Sequence, residues 1–101
     1  LLAPALELVG EILVETGAAM AAIEPLERAL ALWQPATGEP RQTTSIQLNL
    51  AAALWESGRD RGRARALAEQ ARDGSRALGD VGATDLARAE EWLARHAAKR
   101  R

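Results

Sequence analysis

Apolar residues recur at helical spacing in five blocks, separated by glycine, proline and small polar residues. The first runs from about residue 3 to 16 and sets Leu6, Val9, Gly10 and Leu13 on one face, with Gly17 as its stop. The second, about 19 to 34, gathers Ala22, Leu26, Ala29, Leu30 and Trp33. Pro25 falls inside it, which is mild only in the first turn or two of a helix, where few N–H groups are committed. The stretch from Pro35 to Pro40 reads as a turn or loop.

The third block spans about 41 to 57, with Ile46, Leu50, Ala51, Leu54 and Trp55, and ends at Gly58. The fourth, about 60 to 78, points Ala64, Leu67, Ala68 and Ala71 inward. Gly74 interrupts it at about 1 kcal/mol relative to Ala, which predicts a frayed or bent second half. Residues 79–82 form a predicted loop, and Thr84 or Asp85 is the expected cap of a last helix carrying Leu86, Ala89, Trp92 and Leu93. The basic tail from His96 to Arg101 is expected to be loose.

The blocks repeat. Laid over residues 47–58, residues 6–17 match Val9 with Leu50, Gly10 with Ala51, Leu13 with Leu54 and Gly17 with Gly58, an offset of 41. A helix pair recurring at such a period is the mark of a helical solenoid.

Composition sharpens this reading. The apolar share is 48%, yet much of it is Ala, and Phe and Tyr are absent. The core must therefore be thin, with small residues letting backbones approach and three tryptophans supplying the aromatic area. Val, Ile, Thr and aromatics are too scarce for buried strands. Net charge is −1, but residues 1–50 hold six Glu against two Arg, and residues 51–101 hold eight acids against eleven bases. Neither half has the strongly basic balance of a dedicated nucleic-acid binder.

The aligned positions resemble the tetratricopeptide repeat (TPR) family, and in particular the longer repeat of kinesin light chains. Leu6, Val9-Gly10, Leu13 and Gly17 fill the places of the family's first helix, as do Leu50-Ala51, Leu54 and Gly58. Ala22, Leu26 and Ala29 fill those of the second. Two departures stand out. Gln47 occupies a usually apolar place, and Ala64 comes one residue late, as if one residue were inserted after Gly58. The stretch 58–72, with 78–80 and 92–95, is also similar to the ends of TPR regions attached to bacterial eukaryote-like Ser/Thr protein kinases. The resemblance implies an all-α, right-handed helix-turn-helix solenoid in a single domain: repeat 1 over about 3–35, repeat 2 over about 41–79, and a capping helix over about 84–98. The chain opens on Leu1 instead of Met, so a larger parent is the expectation, and the resemblance implies that this parent is a bacterial signalling protein.

In that family a peptide or partner domain lies in the concave groove lined by the first helix of each repeat. The lining positions map onto Glu7, Leu8, Glu11, Val14 and Glu15, then onto Ser45, Leu48, Asn49, Ala52, Trp55 and Glu56. Asn49 has both donor and acceptor, which suits a peptide backbone, and is otherwise a locally paired polar residue. Trp55 is either a groove anchor or an inter-repeat packing residue. Glu7, Glu11 and Glu15 share one helix face, destabilising an isolated helix by a few tenths of a kcal/mol per pair. A basic partner would relieve that repulsion; a solvated surface stripe is the competing reading. The alternative role is structural, a cap or self-association segment of a longer array, with a homodimer formed through the exposed face of the N-terminal repeat.

Catalysis finds little support. The chain has no Cys, no Tyr, one His, no phosphate-cradling glycine loop and no metal motif, so no enzyme, cofactor or metal site is expected. The arginines at 59, 61, 63, 65, 72 and 76 are mixed with acids and lack aromatic platforms, so they read as a solvated face and not a nucleic-acid surface. His96 reads as a surface residue at a helix end. No apolar run is long enough to span a bilayer, and a cytoplasmic setting is the expectation.

Overall fold

The computed structural model describes residues 8–10, 12, 13, 15–32 and 40–97. Among them the protein is all-α, with no strand. A leading helical stretch, described at residues 8–10, 12, 13 and 15, ends at Gly17. Then come α1 (Ala19–Leu32), α2 (Pro40–Ser57), α3 (Arg61–Ala77), one 3-10 turn (Gly79–Gly82) and α4 (Ala83–Ala97). Each helix packs on the next, and α2 also touches α4. An ion pair from Arg63 to Glu27, 2.7 Å, links α3 back to α1.

The two units of the sequence repeat end their first helices in the same way. Gly17 and Gly58 take positive φ, 88° and 72°, a conformation that carries no Cβ penalty only in glycine. Beyond each, the next N–H reaches back five residues: Ala18 to the Leu13 carbonyl at 2.7 Å, Arg59 to the Leu54 carbonyl at 3.2 Å. That is the Schellman closure, repeated at an offset of 41. Thr16 and Ser57, also equivalent, donate their hydroxyls to the carbonyls of Leu13 and Leu54.

The late arrival of Ala64 has a physical reason. One unit re-enters helix at Ala19, directly after Ala18; the other inserts Asp60 before Arg61. Asp60 is the N-cap of α3, its Oδ1 accepting from the Arg63 N–H at 3.0 Å. Such a cap is worth about 1 kcal/mol.

The core is built from the residues that the periodicity points inward. Ala22, Leu26, Ala29, Ile46, Leu50, Ala51, Leu54, Ala64, Leu67, Ala68, Ala71 and Ala89 are buried in one cluster. Small residues act as contact points. A Cβ placed at Gly10 would run into Cγ of Leu26, itself fully buried, so glycine sets the separation of the leading helix from α1.

Several expectations are corrected. The fourth helix does not fray at Gly74 but runs on to Ala77, because Gly74 lies where α3 crosses Thr44 of α2: an added Cβ would sit 3.1 Å from the Thr44 methyl. The predicted loop at 79–82 is a 3-10 turn. Thr84 and Asp85 do not cap the last helix; they lie inside it, and Asp85 turns inward to Thr44 and Arg88. Val9, expected on the inner face, is 46% exposed. His96 is no loose surface residue, being half-buried within α4. Trp33, Leu6 and the loop from 35 to 39 lie outside the described residues.

Candidate functional site

Two of the predicted groove residues line a cleft at the place where α4 comes alongside α2. Leu48 and Ala52, one helical turn apart, form an apolar floor. Trp92 closes it from α4, and Arg88, Glu91 and Arg95 ring the opening. The resulting cleft holds about 260 Å³. That is below the ~300–1,000 Å³ of small-molecule sites, so it suits one or two side chains of a larger partner.

Trp55 lies at the neighbouring edge, in an aromatic group. Its ring meets Trp92 edge-on with centroids 5.5 Å apart, and the His96 ring lies 4.5 Å from Trp55 and 4.0 Å from Trp92. His96 Nδ1 is 2.8 Å from the Trp92 carbonyl, which fixes Nδ1–H as the donor, because a carbonyl can only accept. The Arg61 guanidinium stands 4.8 Å over the Trp55 ring while its Nε donates to the Trp55 carbonyl at 3.3 Å. Cation–π and edge-on aromatic contacts each contribute about 0.5–1.5 kcal/mol. Trp55 therefore packs from α2 against Trp92 and His96 of α4, beside the cleft wall and not in its lining.

Asn49 is buried, 7% exposed, and its Oδ1 accepts from Arg88 at 3.4 Å. Arg88 also contacts Asp85 Oδ1 at 3.4 Å, and Asp85 Oδ2 accepts from the Thr44 hydroxyl at 3.1 Å. This Thr44–Asp85–Arg88–Asn49 chain sets the register of α4 on α2. Asn49 has found a local partner, so it acts on the cleft by holding Arg88 at its rim. Glu56 is exposed on the same helix. Glu15 is exposed on the leading stretch, while Glu7, Glu11 and Val14 lie outside the described residues.

The cleft depends on Arg88, Trp92 and Arg95, which sequence reasoning assigned to a cap. Their signal was available: Arg88, Trp92 and Arg95 at i, i+4 and i+7 share one helix face. A larger hollow, about 480 Å³, lies along the outer side of α1, but six of its seven lining residues belong to that one helix, so it is a shallow surface trough.

Three of the six arginines in the basic run are held in ion pairs. Arg63 holds Glu27, Arg72 holds Asp73 at 3.0 Å, and Arg76 reaches Glu90 at 3.4 Å. The hydrogen bond and charge of Asp73 raise Arg72 further above its ordinary value, so it stays a cation throughout. Among the described residues no group of three or more His, Cys, Asp or Glu converges as a metal site, and no helix is long and apolar enough to cross a membrane. No family model, curated protein or solved structure matches this chain.

Proposed function

We propose that the chain is a protein-interaction module of stacked, TPR-like helix-turn-helix units, non-catalytic and part of a larger cytoplasmic signalling protein. Its ligand in this reading is an extended peptide segment seated in the cleft between α2 and α4. The observation that carries the proposal is the cleft itself, with an apolar floor of Leu48, Ala52 and Trp92 and a charged rim. An apolar base with a few polar groups at the edge is the usual anatomy of a recognition site.

The rim refines the ligand. Arg88 and Arg95 are seven residues apart on α4, about 10 Å along the axis. Three residues of extended chain cover about the same distance. A segment with acids at i and i+3 and an apolar side chain between them matches this spacing, while Glu91 favours a base nearby. Mixed charge suits this cleft better than the purely basic ligand suggested by the Glu7/Glu11/Glu15 stripe.

The test is a peptide-array screen with the full chain beside Ala52→Arg, which fills the floor from a half-buried position. Selective binding by the parent and its loss in a folded Ala52→Arg chain are the expected results. Binding that survives Ala52→Arg would rule out this cleft.

A further inference from the structure

The two arginines on the rim of the α2/α4 cleft are not held alike. Arg88 is tied from two sides: one terminal nitrogen donates to Asp85 Oδ1 and the other to Asn49 Oδ1, each at 3.4 Å. Both partners are fixed in turn. Asn49 is buried on α2, and Asp85 accepts from the buried Thr44 hydroxyl at 3.1 Å. Arg95, on the same face of α4, is exposed and makes no ion pair or side-chain hydrogen bond among the described residues.

Holding a cation in place changes what it can recognise. A guanidinium has more N–H donors than these two bonds use, so Arg88 keeps open donors that point where its partners set them. A ligand carboxylate meeting Arg95 must first order a long, solvated side chain, and such exposed pairs change affinity by about twofold. One meeting Arg88 finds the ordering already done. The chemistry of residue 49 matters as much as its place. Its amide oxygen accepts from Arg88 without adding charge, whereas Asp85 already cancels part of the positive charge. A second carboxylate there would hold Arg88 as firmly but leave little attraction for a ligand acid.

We infer that Asn49 is a positioning residue for ligand recognition: by orienting Arg88 without neutralising it, it makes Arg88 the selective anchor for one acidic side chain of the bound segment. Arg95 takes the other acid loosely. Asn49 does this without touching the ligand, being buried and absent from the cleft lining. The inference rests on the peptide reading of the cleft and adds to it that one acid of the segment is decisive and the other optional.

The probe is an acetylated, amidated peptide with the core Asp-Leu-Ala-Asp, set beside two forms in which one or the other Asp is Asn. Binding to the full chain is measured by titration calorimetry. Neutralising one Asp should weaken binding by about tenfold, and neutralising the other by about twofold. Arg95→Gln should abolish only the smaller effect. In Asn49→Ala the larger effect should shrink to about twofold, while the form lacking that Asp binds as it does to the parent chain. Asn49→Asp, which keeps an acceptor beside Arg88, should lose the same selectivity, and it keeps the test open if Asn49→Ala does not fold. Equal losses for the two Asn forms, or Asn49 variants that weaken every peptide alike, would overturn the inference and leave the cleft reading in place. Absence of binding by all three forms to the folded parent would overturn both.

Discussion

Gly10 offers a test in which packing and backbone propensity predict opposite signs. Replacing a helical glycine by alanine stabilises a helix by about 0.5–1 kcal/mol if nothing else changes. At Gly10 the new Cβ lands on Leu26 Cγ, within 2.5 Å of one of its methyls, and Leu26 is fully buried with no room to turn. Overpacking of this kind costs about 1–3 kcal/mol. The net effect of Gly10→Ala is a loss of up to about 2 kcal/mol. Gly62, exposed in the first turn of α3, is the control, because its Cβ would meet only Asp60 Oδ1 at 3.8 Å. Gly62→Ala should gain roughly 0.5 kcal/mol. At about 4–8 °C per kcal/mol for a domain of this size, thermal unfolding followed by far-UV circular dichroism separates the two in sign. Leu26→Ala alone should cost about 2–5 kcal/mol. In that background Gly10→Ala should turn favourable, a coupling of roughly 1–3 kcal/mol between the two sites. If Gly10→Ala stabilises the parent chain as much as Gly62→Ala does, the close contact between the leading helix and α1 is refuted.

Three further changes probe other parts of the fold. Asp60→Ala removes the α3 cap and should cost about 1 kcal/mol in urea unfolding, with Asp60→Asn retaining most of it. Thr44→Val takes a hydrogen bond from buried Asp85 and should cost about 1–3 kcal/mol; an unchanged midpoint would mean that the polar chain does not fix α4. Ser75 is fully buried and its hydroxyl has no partner, so Ser75→Ala should stabilise the protein by about 1 kcal/mol, an unusual sign for a core position.

Helices were legible in this sequence where apolar spacing and stop signals agreed. The inward faces of α1, α2 and α3 follow from Ala22, Leu26, Leu50, Leu54, Leu67 and Ala71 alone, and Gly17 and Gly58 end their helices as glycine usually does. What escaped depends on contacts between segments distant in the chain. Gly74 looked like a weakness because helix propensity is local, while its reason is the Thr44 methyl thirty residues away. Asp85 looked like a cap because acids often start helices, yet Thr44 and Arg88 recruit it from inside the first turn. His96 looked like tail because, although Trp92 lies one turn before it, the second indole, Trp55, reaches it from α2, forty-one residues away. In the cleft, Leu48 and Ala52 could be read from α2, but Arg88, Trp92 and Arg95 become partners only once α4 lies alongside.

The most direct test of the peptide cleft is to map binding on the full chain residue by residue. A peptide selected from the array is titrated into the isotope-labelled protein and followed by heteronuclear NMR. The account predicts shifts at Leu48, Ala52, Arg95 and the Trp92 indole N–H, with α1 unmoved. Shifts confined to the trough along α1 at Met20 and Ile23, or binding that leaves the Trp92 signal unchanged, would contradict it.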